Sequence, residues 1–144
     1  LMIETIKTSI FKKYKKDDIK GLFFSVFNEQ GELLMSNGVV YTDKALEELI
    51  DLLYQGLIKK HTNVGSIVAD VVLETVELKT PQEIQTISPK DFGIVLSDGS
   101  KSGVLLPNTK GVNNIQEGLK LIKEKNDLGN NVQVVKFKTD RFII

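Results

Sequence analysis

The chain has 144 residues, 41% hydrophobic and 26% charged, with no cysteine and a formal net charge of zero. These values fit one globular domain rather than a disordered tail, and they exclude disulfides, thiolate metal sites and a thiol nucleophile. No apolar run approaches the ~18 residues of a membrane span, and Leu1-Met-Ile-Glu-Thr-Ile-Lys7 lacks the basic-then-apolar order of a signal peptide. A cytoplasmic location is the expectation, and a start at Leu suggests a single domain cut from, or truncated relative to, a longer chain.

Ile3, Ile6, Ile10, Phe11 and Tyr14 recur at helical spacing, which predicts an amphipathic first helix ending near Lys15–Asp18. Gly21 breaks it, and the aromatic-rich Leu22-Phe-Phe-Ser-Val-Phe27 predicts a buried strand. Asn28-Glu-Gln-Gly31 is turn chemistry, leading as a hairpin to a second strand from Glu32 to Met35. Thr42 or Asp43 is placed to cap the next helix. Its stripe of Leu46, Leu49, Ile50, Leu53 and Leu57 lies opposite Lys44, Glu47, Glu48, Asp51 and Gln55.

The Val- and Ile-rich segment from Ser66 to Leu78 predicts the longest strand. Thr80-Pro-Gln-Glu83 has the order of a capping box with Pro at the first helical position. Ser88-Pro-Lys-Asp91 repeats that order, so each opens a short helical turn. A strand at Gly93–Leu96, a Ser97-Asp-Gly-Ser100 turn and a strand at Gly103–Leu106, stopped by Pro107, follow. Asn114 with Glu117 caps a helix whose inner face is Ile115, Leu119 and Ile122; it closes near Gly129, and Val132–Lys138 is the last strand. Helices and strands alternate without a regular βαβ rhythm and two hairpins are implied. The expected class is α+β with a largely antiparallel sheet.

Charge is spread unevenly: six Lys against three acids in residues 1–20, six basic residues against three acids in 120–144, and an acidic middle. Basic termini suit a phosphate backbone, yet no aromatics interleave with the lysines as a single-strand binder requires, so solvated faces are the expectation. Arg141 is the one arginine, and any bidentate clamp on a carboxylate or phosphate must use it. Gly99-Ser-Lys-Ser102 is not a phosphate loop, because Ser100 interrupts the Gly-Lys-Ser order and a strand follows instead of a helix. His61, the one histidine, follows Lys59-Lys60 at a helix end, where positive charge suits the dipole. Neither a metal nor a cofactor is expected. Asp70 and Glu74 share a strand face but stand ~13 Å apart, too far for a direct acid–base pair. Both read as surface charges.

Gly93-Ile-Val-Leu96 with Ser102-Gly-Val-Leu-Leu-Pro107, the following helix and Phe137 with Phe142 resemble the AMMECR-type domain. The Leu22–Leu33 hairpin, the 42–58 helix and the long strand follow in the family's order. The resemblance implies a two-lobed α+β domain with about three longer helices and a mostly antiparallel sheet. It also implies an accessory role beside a Memo-like and a radical-SAM protein, the AmmeMemoRadiSam system. The family hallmark Leu-Arg-Gly-Cys-Ile-Gly aligns with Leu33-Leu-Met-Ser-Asn-Gly38: Leu33 and Gly38 match, while Leu34 stands for Arg and Ser36 for Cys. A lost cation and a lost thiol change the chemistry available there.

Two roles follow. The first is a non-catalytic ligand- or partner-binding component with a groove formed by Leu34, Ser36, Asn37, Gly38, Ser102 and Arg141. The alternative is an enzyme whose site combines Ser36–Gly38 with the Asp98–Ser102 turn and Lys or Arg141.

Overall fold

The computed structural model describes residues 2–144. Along them run α1 (Met2–Phe11), β1 (Leu22–Asn28), β2 (Leu33–Val39), α2 (Leu46–Leu53) and β3 (Val64–Leu78). Then come α3 (Pro81–Gln85), β4 (Gly93–Ser97), β5 (Ser102–Leu105), α4 (Ile115–Asn126) and β6 (Gln133–Ile143). The class is α+β with antiparallel strand pairing, and three of its four helices are longer than one or two turns. The chain divides into two compact units: one runs to Leu73 and takes in Asp140–Ile144, and the other is Glu74–Thr139. No helix among the described residues is long and apolar enough to cross a membrane.

In the first unit β1 lies between β2 and β3, with Leu22 opposite Val39 on one side and Val71 on the other. Ile67 and Ile144 exchange backbone hydrogen bonds of 3.4 and 2.8 Å, which lays the end of β6 on the far side of β3. Strand alternation then puts Leu22, Phe24 and Val26 on one face with Ile67, Ala69 and Val71. Ile6 and Ile10 of α1 and Leu46, Leu49 and Ile50 of α2 complete this core. Each Val, Leu, Ile or Phe among them, fully buried, contributes ~1.5–3 kcal/mol. Tyr14 lies just past α1 and donates its hydroxyl to Asp140 Oδ2 at 2.7 Å, tying the N-terminal segment to β6. Burial, then that carboxylate, raises the Tyr14 pKa. Burial pushes the Asp140 carboxyl up as well, but hydrogen bonds from Lys13 and Tyr14 outweigh it and hold that carboxyl below the usual range.

Neither Thr42 nor Asp43 caps α2. The helix starts at Leu46, and Ala45 at the cap position offers no side-chain bond. The Leu46 and Glu47 N–H groups instead donate to the Asp18 and Lys16 carbonyls at 2.8 and 3.0 Å, so a preceding loop satisfies donors that a cap would otherwise take. Thr42 Oγ1 accepts from the Lys44 N–H. After Leu53 the helix widens into a π turn, Tyr54–Ile58, and both Leu57 and Ile58 reach the core. β2 extends to Val39, past the expected end at Met35.

In the second unit β4 lies between β5 and β6, running from Gly93 opposite Phe137 to Ser97 opposite Gln133. Ile94, Leu96, Leu105 and Val134 pack with Ile115 and Ile122 of α4. Thr80 and Glu83 form the expected capping box on α3, whereas Ser88–Asp91 is a simple turn closed by Ser88 Oγ on Asp91. Asn114 caps α4 by accepting from the Glu117 N–H at 2.9 Å. The helix ends at Asp127, in a left-handed conformation with φ 53°, two residues before the expected glycine.

Candidate functional site

The predicted groove residues of the first unit lie on β2, at one edge of its strands, and at the end of β6. Their orientation depends on one irregularity. The β1–β2 register shifts between Val26 and Phe27, so Val26 faces Met35 while Phe27 faces Leu33. Leu34 is the extra residue, and the bulge turns it inward to pack, half-buried, against the first core. Beyond the bulge Asn37 pairs with Phe24 and shares its core-side face; its Oδ1 accepts the Gly38 N–H at 2.8 Å. Ser36 and Gly38 belong to the opposite face, so the four expected groove positions on β2 divide between the two sides of the sheet.

That opposite face carries a row of polar side chains. Ser36 is opposite Ser25, and their hydroxyls are 3.0 Å apart. In the next row Phe23 stands opposite both Gly38 and Asp70. A Cβ on Gly38 would collide with the Leu22 carbonyl oxygen and lie 2.5 Å from the Phe23 Cα, so the close approach of the β1 backbone requires glycine. Counting three residues on from Ile67 and three back from Ile144 brings Asp70 to Arg141, completing the row. Arg141 Nε and Nη2 donate to Asp70 Oδ1 and Oδ2 at 2.9 and 3.2 Å. The Asp70 side chain is fully buried and that of Arg141 is 32% exposed.

Asp70 is therefore not the surface charge expected from sequence. A buried carboxylate is tolerated because a planar guanidinium engages both of its oxygens. Ser25, 8% exposed, is the other polar member that the sequence reading passed over. The available signal was the single acid inside Ile67-Val-Ala-Asp-Val-Val72. Glu74 is exposed as expected. His61 is half-buried past the π turn, its N–H bonded to the Ile58 carbonyl at 3.1 Å.

Ser102 belongs to the second unit, where it opens β5 opposite Ser97. The Asp98–Ser102 turn is held from within: Asp98 Oδ1 accepts from the Lys101 and Ser100 N–H groups at 2.8 and 3.0 Å and from Ser100 Oγ at 3.1 Å. Those backbone donors, Lys101 first, bring the Asp98 carboxyl down to about 2. Beside the turn is an open depression of about 450 Å³ bordered by Lys79, Asp98 and Val132. The turn's own donors already occupy Asp98 Oδ1, so that carboxylate works as a turn anchor.

No family model matches the chain. Over 123 residues it is 32% identical to Protein CA_C1420 of Clostridium acetobutylicum, a match covering 78% of this chain and 25% of the relative. Over 79 residues it is 29% identical to a protein of Thermotoga maritima, covering 51% of this chain and 45% of that one. The chain thus spans less than half the length of either curated relative. In fold it resembles the crystal structure of the uncharacterised protein PH0010 from Pyrococcus horikoshii, with a TM-score of 0.74. That likeness covers 89% of this chain and 75% of the other at 18% identity, and it concerns the fold alone.

Proposed function

We propose that the chain is an AMMECR-type domain acting as a non-catalytic accessory component, binding a ligand or protein partner beside a Memo-like and a radical-SAM protein in the cytoplasm. The observation that carries this reading is the state of the hallmark strand. Where the family has Arg and Cys, this chain has Leu34, turned into the core, and Ser36, whose hydroxyl meets another hydroxyl, Ser25, at 3.0 Å. A serine nucleophile needs a neighbouring base, and a second serine is none. Arg141 is committed to Asp70 through two hydrogen bonds, so it works as part of the scaffold under the Ser36–Gly38 surface. Relatives of which the chain matches only 25% and 45% fit a module serving other chemistry.

The test is direct binding. Purified chain is titrated against the Memo-like and radical-SAM proteins of the same genome by interferometry. Saturable binding in the low micromolar range, weakened by Ser36→Arg with the fold intact, is expected. Failure of both proteins to bind, or turnover that depends on Ser36, would overturn the reading.

A further inference from the structure

We infer that β2 is a self-pairing edge, through which two copies of this chain join antiparallel about a two-fold axis at Asn37.

β2 is the edge strand of its unit, hydrogen-bonded to β1 on one side. Which of its backbone groups face away from β1 follows from alternation. The Val72 N–H donates to the Gly21 carbonyl at 2.8 Å, so Gly21, Phe23 and Ser25 direct their backbone groups at β3. Leu22, Phe24 and Val26 direct theirs at β2. Their partners Val39, Asn37 and Met35 answer them, which leaves the N–H and C=O groups of Ser36 and Gly38 directed outward. The Gly38 N–H is met only by the adjacent Asn37 side chain.

Natural edges are protected by charge, proline or very short length. Residues 33–41 contain no ionisable side chain except the Tyr41 phenol, and no proline. They expose Leu33 at 59%, Met35 at 46%, Val39 at 37% and Tyr41 at 64%. The bulge at Leu34 is the one protective device.

Charge and side-chain complementarity select the occupant. A strand bearing Lys or Glu would have to desolvate it against Met35 and Val39, whereas a second copy of β2 brings no charge. Antiparallel pairing about Asn37 sets Ser36 of one copy opposite Gly38 of the other, so the outward groups bond reciprocally. The same register puts Met35 against Val39 twice, covering both exposed apolar side chains on that face, and Asn37 against Asn37. Such an isologous contact closes on itself. It uses the strand's backbone edge, so the Ser36 side of the sheet stays available to the partner proposed above, and neither inference depends on the other.

The chain has no cysteine, so single introduced thiols report the contact directly. Sedimentation up to ~1 mM, a range that captures weak pairing, is expected to give a species of twice 16.1 kDa. Asn37→Cys is expected to cross-link under mild oxidation, because facing residues in a non-hydrogen-bonded pair have Cα atoms ~4.5 Å apart, within disulfide reach. Ser100→Cys in the β4–β5 turn should not. Asn37→Lys, an exposed substitution, should weaken self-association about tenfold or more by setting like charges opposite each other. A chain that stays monomeric throughout overturns the inference, as does a dimer indifferent to both Asn37 variants. So does a monomer whose edge binds an added extended peptide.

Discussion

Replacing Arg141 by Met tests whether the buried ion pair organises the first unit. The substitution keeps an unbranched apolar stem on β6 but leaves the fully buried Asp70 carboxylate without either guanidinium bond. Removing one partner of a buried pair costs ~3–5 kcal/mol, because the remaining charge stays desolvated. The Arg141 side chain is 32% exposed, so water reaches its end of the pair and the lower figure, about 3 kcal/mol, is expected. For a chain of this size that lowers Tm by about 10 °C. Asp70→Leu should cost less, since the guanidinium that loses the carboxylate is the member already in contact with solvent. The double variant Asp70→Leu/Arg141→Met should recover to within ~1 kcal/mol of the parent, as apolar replacements of buried pairs do. Urea unfolding followed by far-UV circular dichroism measures all three. If Arg141→Met costs under ~1 kcal/mol, or the double variant is worse than both singles, the pair is not a desolvated unit and this account of the face fails.

Gly93→Ala should destabilise the second unit by ~1–3 kcal/mol through overpacking, because its Cβ would collide with the Phe137 ring, two of whose carbons would lie 2.6 Å away; thermal unfolding reads this. Thr80→Ala should cost about 1 kcal/mol by removing the α3 cap. It should also move the Glu83 titration upward in carboxyl-detected NMR, since the Thr80 side chain, followed by the Lys79 N–H, holds that carboxyl below its usual range. Asp98 has a folded pKa depressed to about 2 from an ordinary 3.8. Its contribution is therefore complete above the ordinary value and lost as pH falls from about 3.8 through about 2. Asp98→Asn should lower Tm at neutral pH, and the gap to the parent should close over that window; a gap that stays constant with pH would count against the turn-anchor role.

Local chemistry made the elements legible. The α3 capping box, the Asn114 cap and the strands at 22 and 93 stand where their residues predict them, since each depends on neighbours a few positions away, whereas the last strand, expected over Val132–Lys138, runs on to Ile143. Two helix ends differ from expectation, one through a partner distant in sequence and one through local backbone conformation. Carbonyls of Lys16 and Asp18 start α2 in place of a side-chain cap. A left-handed Asp127 ends α4 without waiting for glycine.

The candidate face was hidden for the same reason on a longer scale. Asp70 reads as solvated until Arg141, 71 positions later, is laid against it, and only the register of β3 with the end of β6 does that. Whether Leu34 shares a face with Ser36 and Gly38 was equally unreadable, because the bulge at Leu34 decides it. That Leu34 and Ser36 differ from the Arg and Cys of the resembled hallmark was visible in the sequence, but where the two side chains lie was not. With Leu34 turned inward and Ser36 paired to Ser25, the strand that distinguishes this chain offers a backbone edge and a small hydroxyl surface. The accessory role proposed above rests on that surface.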